Sequence, residues 1–365
     1  MTADRTLIVG IESTCDETGC AVVADGRTVL SNVVASQIDL HARFGGVVPE
    51  IASRAHIEAI NTVIGQALDE SGAAPADIAA VAVANEPGLI GSLLVGLMAA
   101  KTLAWVWDKP LVAVNHVRAH AYAPAMDDER IEYPAVALVC SGGHTALYSC
   151  RSPTELTLLG GTIDDAAGEA FDKVAGILQL GFPGGPAIDR AARGGDPTVV
   201  KLPRSLLKGQ SLDFSFSGVK TAVLYHVNGL PGERRGRKAG RGPHAQRAAA
   251  QPNAGRGIEN FTPQEVADLA ASFQAAVVDT LIIKLRRAAK ATGARTLIIG
   301  GGVSANAALR AAAGELADKV HCRLRMPAMA FTVDNAAMTA GLAYHYLRAG
   351  QLADYDLTAR ATTGR

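Results

Sequence analysis

Short apolar runs alternate with longer amphipathic segments along most of the chain. Apolar runs that predict β-strands cover residues 7–9, 21–24, 78–83, 111–114, 135–140, 146–149 and 296–299. Segments with the apolar periodicity or the alanine-rich composition typical of α-helices cover residues 53–70 and 263–292. This alternation of strands and helices predicts an α/β fold.

One pattern occurs twice: a strand that turns through polar and glycine residues into a second strand. The first copy covers residues 7–23 with its turn at 12–19, and the second covers residues 136–148 with its turn at 141–145. Two copies one domain apart predict a duplicated fold that closes on a nucleotide. The alternative is two unrelated hairpins.

Residues 88–100 are uniformly apolar, but Lys101 follows them before the ~20 residues that a membrane span needs. We therefore expect a helix buried on both sides and no membrane segment. The first residues lack the apolar run of a signal peptide, and the five cysteines have no Cys-x-x-Cys spacing. Both features favour a protein of the reducing cytoplasm.

The 365 residues suggest about two domains, and the 35 basic and 35 acidic residues balance. Contact with a nucleic acid therefore requires a local basic patch. Residues 228–260 are rich in arginine, glycine and proline and poor in large apolar residues, which predicts a disordered basic insertion. Its basic residues are either simply solvated or in contact with RNA.

Two histidines four residues apart, His116 and His120, can project from one face of a helix toward a single divalent ion. The alternative is a solvated surface pair. Asp334 lies at a predicted helix start, where it either caps the helix or completes a set of two imidazoles and one carboxylate. Such a set leaves coordination positions open for a substrate.

Glycine-rich stretches also lie at residues 184–186, 214–220 and 299–306. Glycines let the backbone approach a phosphate or an adenine ring, and helix N-termini favour anions. Each stretch alone is equally typical of a tight turn.

Eight motifs, in this order, resemble the TsaD/Kae1 family of tRNA N6-adenosine threonylcarbamoyltransferases. They are residues 10–18 (GIESTCDET), 48–56 (VPEIASRAH), 116–120 (HVRAH), 141–145 (SGGHT), 164–172 (DDAAGEAFD), 216–220 (FSGVK), 301–306 (GGVSAN) and 333–335 (VDN). The resemblance covers nearly the whole chain except residues 228–260.

The resemblance implies an actin-like ATPase fold of two lobes with nucleotide and metal in the cleft between them. It implies His116, His120 and Asp334 as ligands of one divalent metal per subunit, Fe²⁺ or Zn²⁺, and Asp16 and Glu17 as the catalytic acidic pair. The adenylate-binding positions that it implies are Val139, Cys140, Ser141, Gly142, Gly143, Asp172, Gly185, Asp189 and Asn306.

The expected reaction transfers a threonylcarbamoyl group from threonylcarbamoyl-adenylate to N6 of adenosine 37 in tRNAs that read codons beginning with A, and releases AMP. Asp16 or Glu17 would accept a proton or orient the amine. TsaB-like and TsaE-like proteins are the expected partners.

We expect an N-terminal lobe at residues 1–132 and a C-terminal lobe at 133–227 and 261–350, interrupted by the insertion at 228–260 and followed by a tail at 351–365. The last helix of the C-terminal lobe is expected to pack toward the N-terminal lobe. A zinc protease is the main rival class, but its helix needs Glu after the first His, where this chain has Val117. A sugar-kinase-like ATPase and a non-enzymatic scaffold are two further rival classes.

Overall fold

The computed structural model describes residues 5–127, 130–205, 209–229 and 255–362, which form an α/β protein with two five-stranded sheets. The strands of the N-terminal sheet are β1 (Leu7–Glu12), β2 (Glu17–Ala24), β3 (Thr28–Ser36), β4 (Ile78–Glu86) and β5 (Leu111–Asn115). Those of the C-terminal sheet are β6 (Ala135–Cys140), β7 (Thr145–Cys150), β8 (Leu156–Gly161), β9 (Thr296–Gly300) and β10 (Arg323–Arg325).

The two sheets have the same topology. Their strand orders are β3-β2-β1-β4-β5 and β8-β7-β6-β9-β10. In each sheet the first three strands pair antiparallel through two hairpins, and the last two join in parallel. The duplication predicted from the two hairpin patterns is therefore confirmed.

Ten α-helices connect and cover these strands in the described part of the chain. The N-terminal half has α1 (Ile38–Ala42), α2 (Pro49–Ser71), α3 (Ile90–Val106) and α4 (His116–Tyr122). The C-terminal half has α5 (Ala167–Ile177), α6 (Gly184–Ala192), α7 (Ser217–Asn228), α8 (Pro263–Thr292), α9 (Ala307–Val320) and α10 (Ala336–Arg348).

Both predicted helices are present, with ends that local sequence explains. The helix predicted at residues 53–70 begins earlier, at Pro49, because proline suits the first helical position, and it ends at Gly72 in a left-handed conformation. The helix at 263–292 has the predicted bounds. Thr262 and Glu265 form a capping box at its start, and Gly293 ends it.

The expectation that residues 88–100 form a helix buried on both sides is wrong. Leu93, Leu97 and Ala100 of α3 pack into the core, whereas Met98 is 56% exposed and Trp105 is 74% exposed. Only one face of α3 packs against the sheet and α2, so its outer apolar face is open. Of the described helices, only Pro263–Thr292 is long and apolar enough to cross a membrane, and it is mostly buried within the C-terminal core.

Helix α10 packs directly onto the N-terminal sheet. A Cβ at Gly10 of β1 would lie 2.5 Å from the carbonyl oxygen of Ala336, so only glycine allows this approach. The first turn of α10 is thereby fixed against β1. This contact places Asp334, two residues before the helix, beside the end of that strand.

The predicted insertion at residues 228–260 is too wide at both ends. Asn228 is the last residue of α7, and a short 3-10 helix covers Ile258–Asn260. Arg256 pairs with Glu265 at 2.9 Å and lies over the ring of Phe261, so this part of the basic stretch is anchored to α8. Residues 230–254 lie outside the described residues.

The segment after α10 follows the edge of the N-terminal lobe. Ala353 pairs with Leu111 of β5, and Lys101 of α3 donates hydrogen bonds to the carbonyl oxygens of Tyr355 and Leu357. The predicted tail at residues 351–365 is therefore in contact with the N-terminal lobe.

Candidate functional site

Two buried histidines project from α4, directly after strand β5. The side-chain oxygen of Asn115 accepts a hydrogen bond from the backbone N–H of Arg118 at 3.1 Å and so caps the helix. His116 is the first residue of the helix, and His120 lies one turn further on. The cap fixes the helix start, and the i,i+4 spacing places both rings on one side.

Asp334 does not cap the helix that follows it. Asn335 is the cap of α10, because its side-chain oxygen accepts from the backbone N–H of Met338 at 3.0 Å. The interpretation of Asp334 as an N-cap is therefore wrong. Its carboxylate instead lies 3.0 Å from Nε2 of His120 and 3.5 Å from Nε2 of His116.

The three side chains together fit a divalent metal ion. Each offers one ligand atom, and these atoms lie within 4.8 Å of one another. Two imidazole nitrogens and one carboxylate oxygen are a donor set that suits both iron and zinc. The site is nearly closed to solvent, since His116 and His120 are buried and the Asp334 side chain is 16% exposed.

Glu12 and Thr14 orient the ring of His116 from the end of β1. Oε2 of Glu12 lies 3.1 Å from Nδ1 of His116, and Oγ1 of Thr14 lies 3.3 Å from the same atom. Burial alone would lower the pKa of His116, but the charges of Asp334 and Glu12 raise it to about 9. Burial likewise opposes ionisation of Asp334, yet the two imidazoles hold the pKa of its carboxyl well below the usual range.

Asp16 and Glu17 lie where the turn after β1 enters β2. Glu17 is buried, and its carboxyl accepts a hydrogen bond from the hydroxyl of Ser36 at 3.2 Å. Burial, followed by the nearby charges of Asp334 and Asp16, raises the pKa of Glu17 to about 10. In the metal-free protein this shift favours the protonated carboxyl, which is a hydrogen-bond donor.

The turn at residues 141–143 packs against the start of α5 and against a second glycine turn. The backbone N–H of Gly168 donates to the carbonyl of Ser141 at 3.2 Å, which joins the turn to the start of α5. A Cβ at Gly301 would lie 2.4 Å from the carbonyl oxygen of Cys140, so the second glycine turn also packs here. Gly142 and Gly143 have open space around them. Val139, by contrast, is fully buried in β6 and can contribute only its backbone.

The side chain of Asp172 faces the same space from α5. It accepts a hydrogen bond from the backbone N–H of Gly184 at 2.7 Å, which joins α5 to α6. Burial raises its pKa, as does the charge of Asp16 on the N-terminal turn. Asp172 and Asp16 are thus near enough to interact. Gly185 has open space where a side chain would be.

Asn306 is fully engaged by the protein itself. Its oxygen caps α9 by accepting from the N–H of Leu309 at 3.0 Å. Its amide donates to Gln274 at 2.7 Å and to Asp189 at 3.3 Å. The predicted pair Asp189 and Asn306 is therefore in contact, through a network that includes Gln274 of α8.

Four residues of this region have no role in the sequence prediction: Glu12, Thr14, His144 and Gln274. The first three lie within recognised motifs, but nothing in their spacing indicates what they contact. Burial, and then the charges of His116 and His120, lowers the pKa of His144 to about 4, so this ring is neutral and near the metal ligands. Gln274 belongs to a helix with no motif.

A cavity of about 750 Å³ lies away from these residues, on the other side of α4. It is lined by Arg118, Glu86, Tyr148 and the segment after α10. None of the predicted metal, adenylate or catalytic residues lines it, so we do not assign the nucleotide to this cavity.

Comparison with known proteins gives consistent matches. The family model for TsaD, tRNA N6-adenosine threonylcarbamoyltransferase, matches residues 28–341. A protein of that name from Thermomicrobium roseum is 49% identical over 362 residues, which cover 97% of this chain and 96% of the relative. Another from Symbiobacterium thermophilum is 49% identical over 353 residues, covering 97% of this chain and 95% of the relative.

A solved structure of full-length HypF, in its phosphate- and nucleotide-bound form, aligns with 94% of this chain and 46% of its own. The TM-score is 0.54 and the identity is 13%. At this identity the likeness concerns the fold alone, and it confirms the predicted actin-like ATPase fold.

Proposed function

The chain belongs to the TsaD family of tRNA N6-adenosine threonylcarbamoyltransferases, and we propose that its cleft performs this reaction with the residues described above. The enzyme transfers a threonylcarbamoyl group to N6 of adenosine 37 in tRNA and releases AMP. The observation that supports this assignment of the cleft is the convergence of His116, His120 and Asp334 within 4.8 Å. The glycine turns and Asp172 then hold the adenylate.

One divalent metal per subunit, iron or zinc, is held by His116, His120 and Asp334. When bound, it supplies a Lewis acid that polarises an acyl oxygen. Glu12 holds the ring of His116 through Nδ1, which leaves Nε2 directed toward Asp334. Orientation of a ligand ring by a carboxylate is a common way to stabilise metal binding.

The donor substrate is threonylcarbamoyl-adenylate, with its AMP group at the C-terminal lobe. Gly142 and Gly143 offer backbone N–H groups to a phosphate beside open space. Ser141 holds this turn, since its own N–H donates to the carbonyl of His144 at 2.8 Å, and Val139 and Cys140 supply the rigid strand end before it. Asp172 is suited to accept a hydrogen bond from a ribose hydroxyl, beside Gly185. Asp189 and Asn306 border the adenine from α6 and α9. Binding the leaving group at fixed positions lowers the entropy cost of transfer.

Asp16 and Glu17 act on the acceptor. The exocyclic amine of adenine is a weak nucleophile because its lone pair is delocalised into the ring. The carboxyl of Glu17 is buried beside Asp16, and Asp16 accepts a hydrogen bond from the amine. Together they orient N6 toward the acyl carbon.

A TsaB-like protein and a TsaE-like ATPase are the proposed partners, and the cytoplasm is the proposed location. The exposed apolar face of α3 supports a stable protein partner, since Leu94, Met98 and Trp105 would otherwise remain in contact with water. The spacing of these three residues places them on one face of α3.

Mass spectrometry of tRNA nucleosides tests the function directly. The purified protein, with partner proteins, tRNA and threonylcarbamoyl-adenylate, should produce the modified adenosine. A parallel reaction with the His120→Ala variant should produce none. Absence of product from the wild-type protein with every component present would overturn the proposal.

A further inference from the structure

We propose that His56 is a positioning residue for the acidic pair Asp16–Glu17, because it holds the backbone carbonyl before that pair and the side-chain hydroxyl after it. The inference rests on the proposed function, in which Asp16 and Glu17 orient the acceptor amine. His56 lies on α2 and is completely buried. It contacts neither the metal ligands nor the adenylate wall by any hydrogen bond among the described residues.

The imidazole of His56 bridges the residues that flank the acidic pair. Nε2 lies 3.1 Å from the carbonyl oxygen of Cys15, and Nδ1 lies 2.7 Å from Oγ1 of Thr18. A carbonyl oxygen can only accept, so Nε2 carries the hydrogen. Nδ1 then accepts from the hydroxyl of Thr18. Burial lowers the pKa of His56, which agrees with this neutral form.

Other contacts hold the neighbouring parts of the turn, and Thr18 also pairs with Ala35 of β3, but the carbonyl of Cys15 has its shortest hydrogen bond from His56. The hydroxyl of Ser13 donates to the carbonyl of Ser92 at 2.8 Å, and the N–H of Leu89 donates to the carbonyl of Thr14 at 2.8 Å. The N–H of Gln37 donates to the carbonyl of Asp16 at 3.0 Å. For the carbonyl of Cys15, the only other side-chain contact in the described structure is the hydroxyl of Ser92, at 3.5 Å.

Loss of Nε2 would therefore release the turn at Cys15, just before the acidic pair, whereas Thr18, just after it, would stay in its pairing with Ala35 of β3. The partly buried carbonyl of Cys15 would lose its best donor and would rotate to find another. That rotation changes the directions of the next two side chains. A shift of about 1 Å in a catalytic group can reduce a rate by about 100-fold.

Four single variants separate hydrogen bonding from volume. His56→Phe keeps an aromatic ring and loses both bonds, whereas His56→Gln retains one amide donor and one carbonyl acceptor. Thr18→Val removes the donor to Nδ1, and Thr18→Ser keeps it. His226→Phe is the matched control, since His226 is also a buried histidine on a helix, α7, of the other lobe.

Steady-state kinetics of tRNA modification, metal content and thermal melting are measured for each variant. We expect His56→Phe to lower kcat by about 10- to 100-fold, with little change in KM for tRNA and full metal content. His56→Gln should recover part of the loss. Thr18→Val should lower kcat less than His56→Phe, and Thr18→Ser should match the wild type. His226→Phe should melt earlier with an unchanged kcat.

A double variant tests whether His56 acts through the acidic pair. If it does, His56→Phe combined with Glu17→Gln should be no slower than the slower single variant, because both changes remove one function. Multiplicative losses would overturn the proposal. So would a kcat of His56→Phe within twofold of the wild type. An inactive wild-type protein would instead reject the proposed function itself, which distinguishes the two failures.

Discussion

Oε2 of Glu12 lies 3.1 Å from Nδ1 of His116, although the two residues are 104 positions apart in the sequence. Strand β1 thereby orients a histidine that belongs to α4. Oε2 also accepts a hydrogen bond from the hydroxyl of Thr339 at 3.2 Å, so α10 holds the same carboxylate. A single buried side chain thus joins the three elements that surround the proposed metal ligands.

Glu12→Gln should weaken metal binding by about 10- to 100-fold, because an amide is a poorer acceptor for the N–H of the ligand ring. Competition with a chromogenic chelator measures the affinity. Thr339→Val is the comparison, since it leaves the carboxylate in place and should weaken binding less. Equal affinity in Glu12→Gln and wild-type protein would contradict this role.

His120→Ala and Asp334→Ala should each lose most bound metal and transfer activity while keeping the fold. Elemental analysis and circular dichroism separate the two effects. Loss of a direct ligand should exceed the roughly 10- to 100-fold effect of a residue that only orients one. The exposed His321, replaced by Asn, serves as control. Full metal occupancy in both alanine variants would remove the proposed site.

Asn306 can be tested for ligand contact separately from helix capping. Asn306→Ser keeps a capping hydroxyl, so most of the ~1 kcal/mol cap should remain, whereas Asn306→Ala loses it. Both variants remove the amide that donates to Gln274 and Asp189. If the network borders the adenylate, AMP affinity measured by calorimetry should fall in both by about 1–3 kcal/mol. If Asn306→Ser binds AMP with wild-type affinity, Asn306 serves only to cap the helix.

Asp172→Ala should weaken AMP binding in the same titration. Its carboxylate also accepts from the N–H of Gly184, so some loss of stability is expected. Asp172→Asn keeps an acceptor for that N–H and is the matched comparison. A lowered melting temperature with unchanged AMP affinity in both variants would show that the residue joins α5 to α6 and does nothing more.

The stability of the metal-free protein should fall as the pH rises above 4.5. Burial raises the pKa of Glu17 from 4.5 to about 10, so the folded state keeps a proton that the unfolded chain releases across this window. The free energy of unfolding from this group therefore decreases by up to about 1.4 kcal/mol per pH unit. Glu17→Gln should flatten the curve. The melting temperature of Glu17→Gln should therefore exceed that of the wild type by an amount that grows between pH 5 and 9. A constant difference would refute the raised pKa of Glu17.

The sequence predicts the strands that are buried and misses those that are not. All seven predicted strands exist, because each is a run of mostly buried apolar residues. Strands β3, β8 and β10 lie at sheet edges; β8 is largely exposed and β10 has three residues. Their side chains alternate too little to stand out from a loop.

The predicted site residues come from recognised motifs. Such motifs do not indicate which residues contact each other across the fold. Gln274 contacts Asn306 from 32 positions away, and no local pattern encodes such a pair. For helix α3, the sequence predicts more burial than the structure has. It is apolar on nearly every face, which predicts full burial, yet Met98 and Trp105 are exposed because the described part of the chain does not cover them.

Because Gly10 has no side chain, α10 packs closely on β1, and the position of Asp334 depends on this backbone contact. Since a Cβ there would lie 2.5 Å from the carbonyl of Ala336, even alanine would push the first turn of α10 off the sheet. Asp334 precedes that turn by two residues and would move with it, away from His120. A mutation at position 10, which does not contact the ion, would therefore change metal selectivity. To widen the coordination sphere, an engineer could begin at position 10 rather than among the ligands.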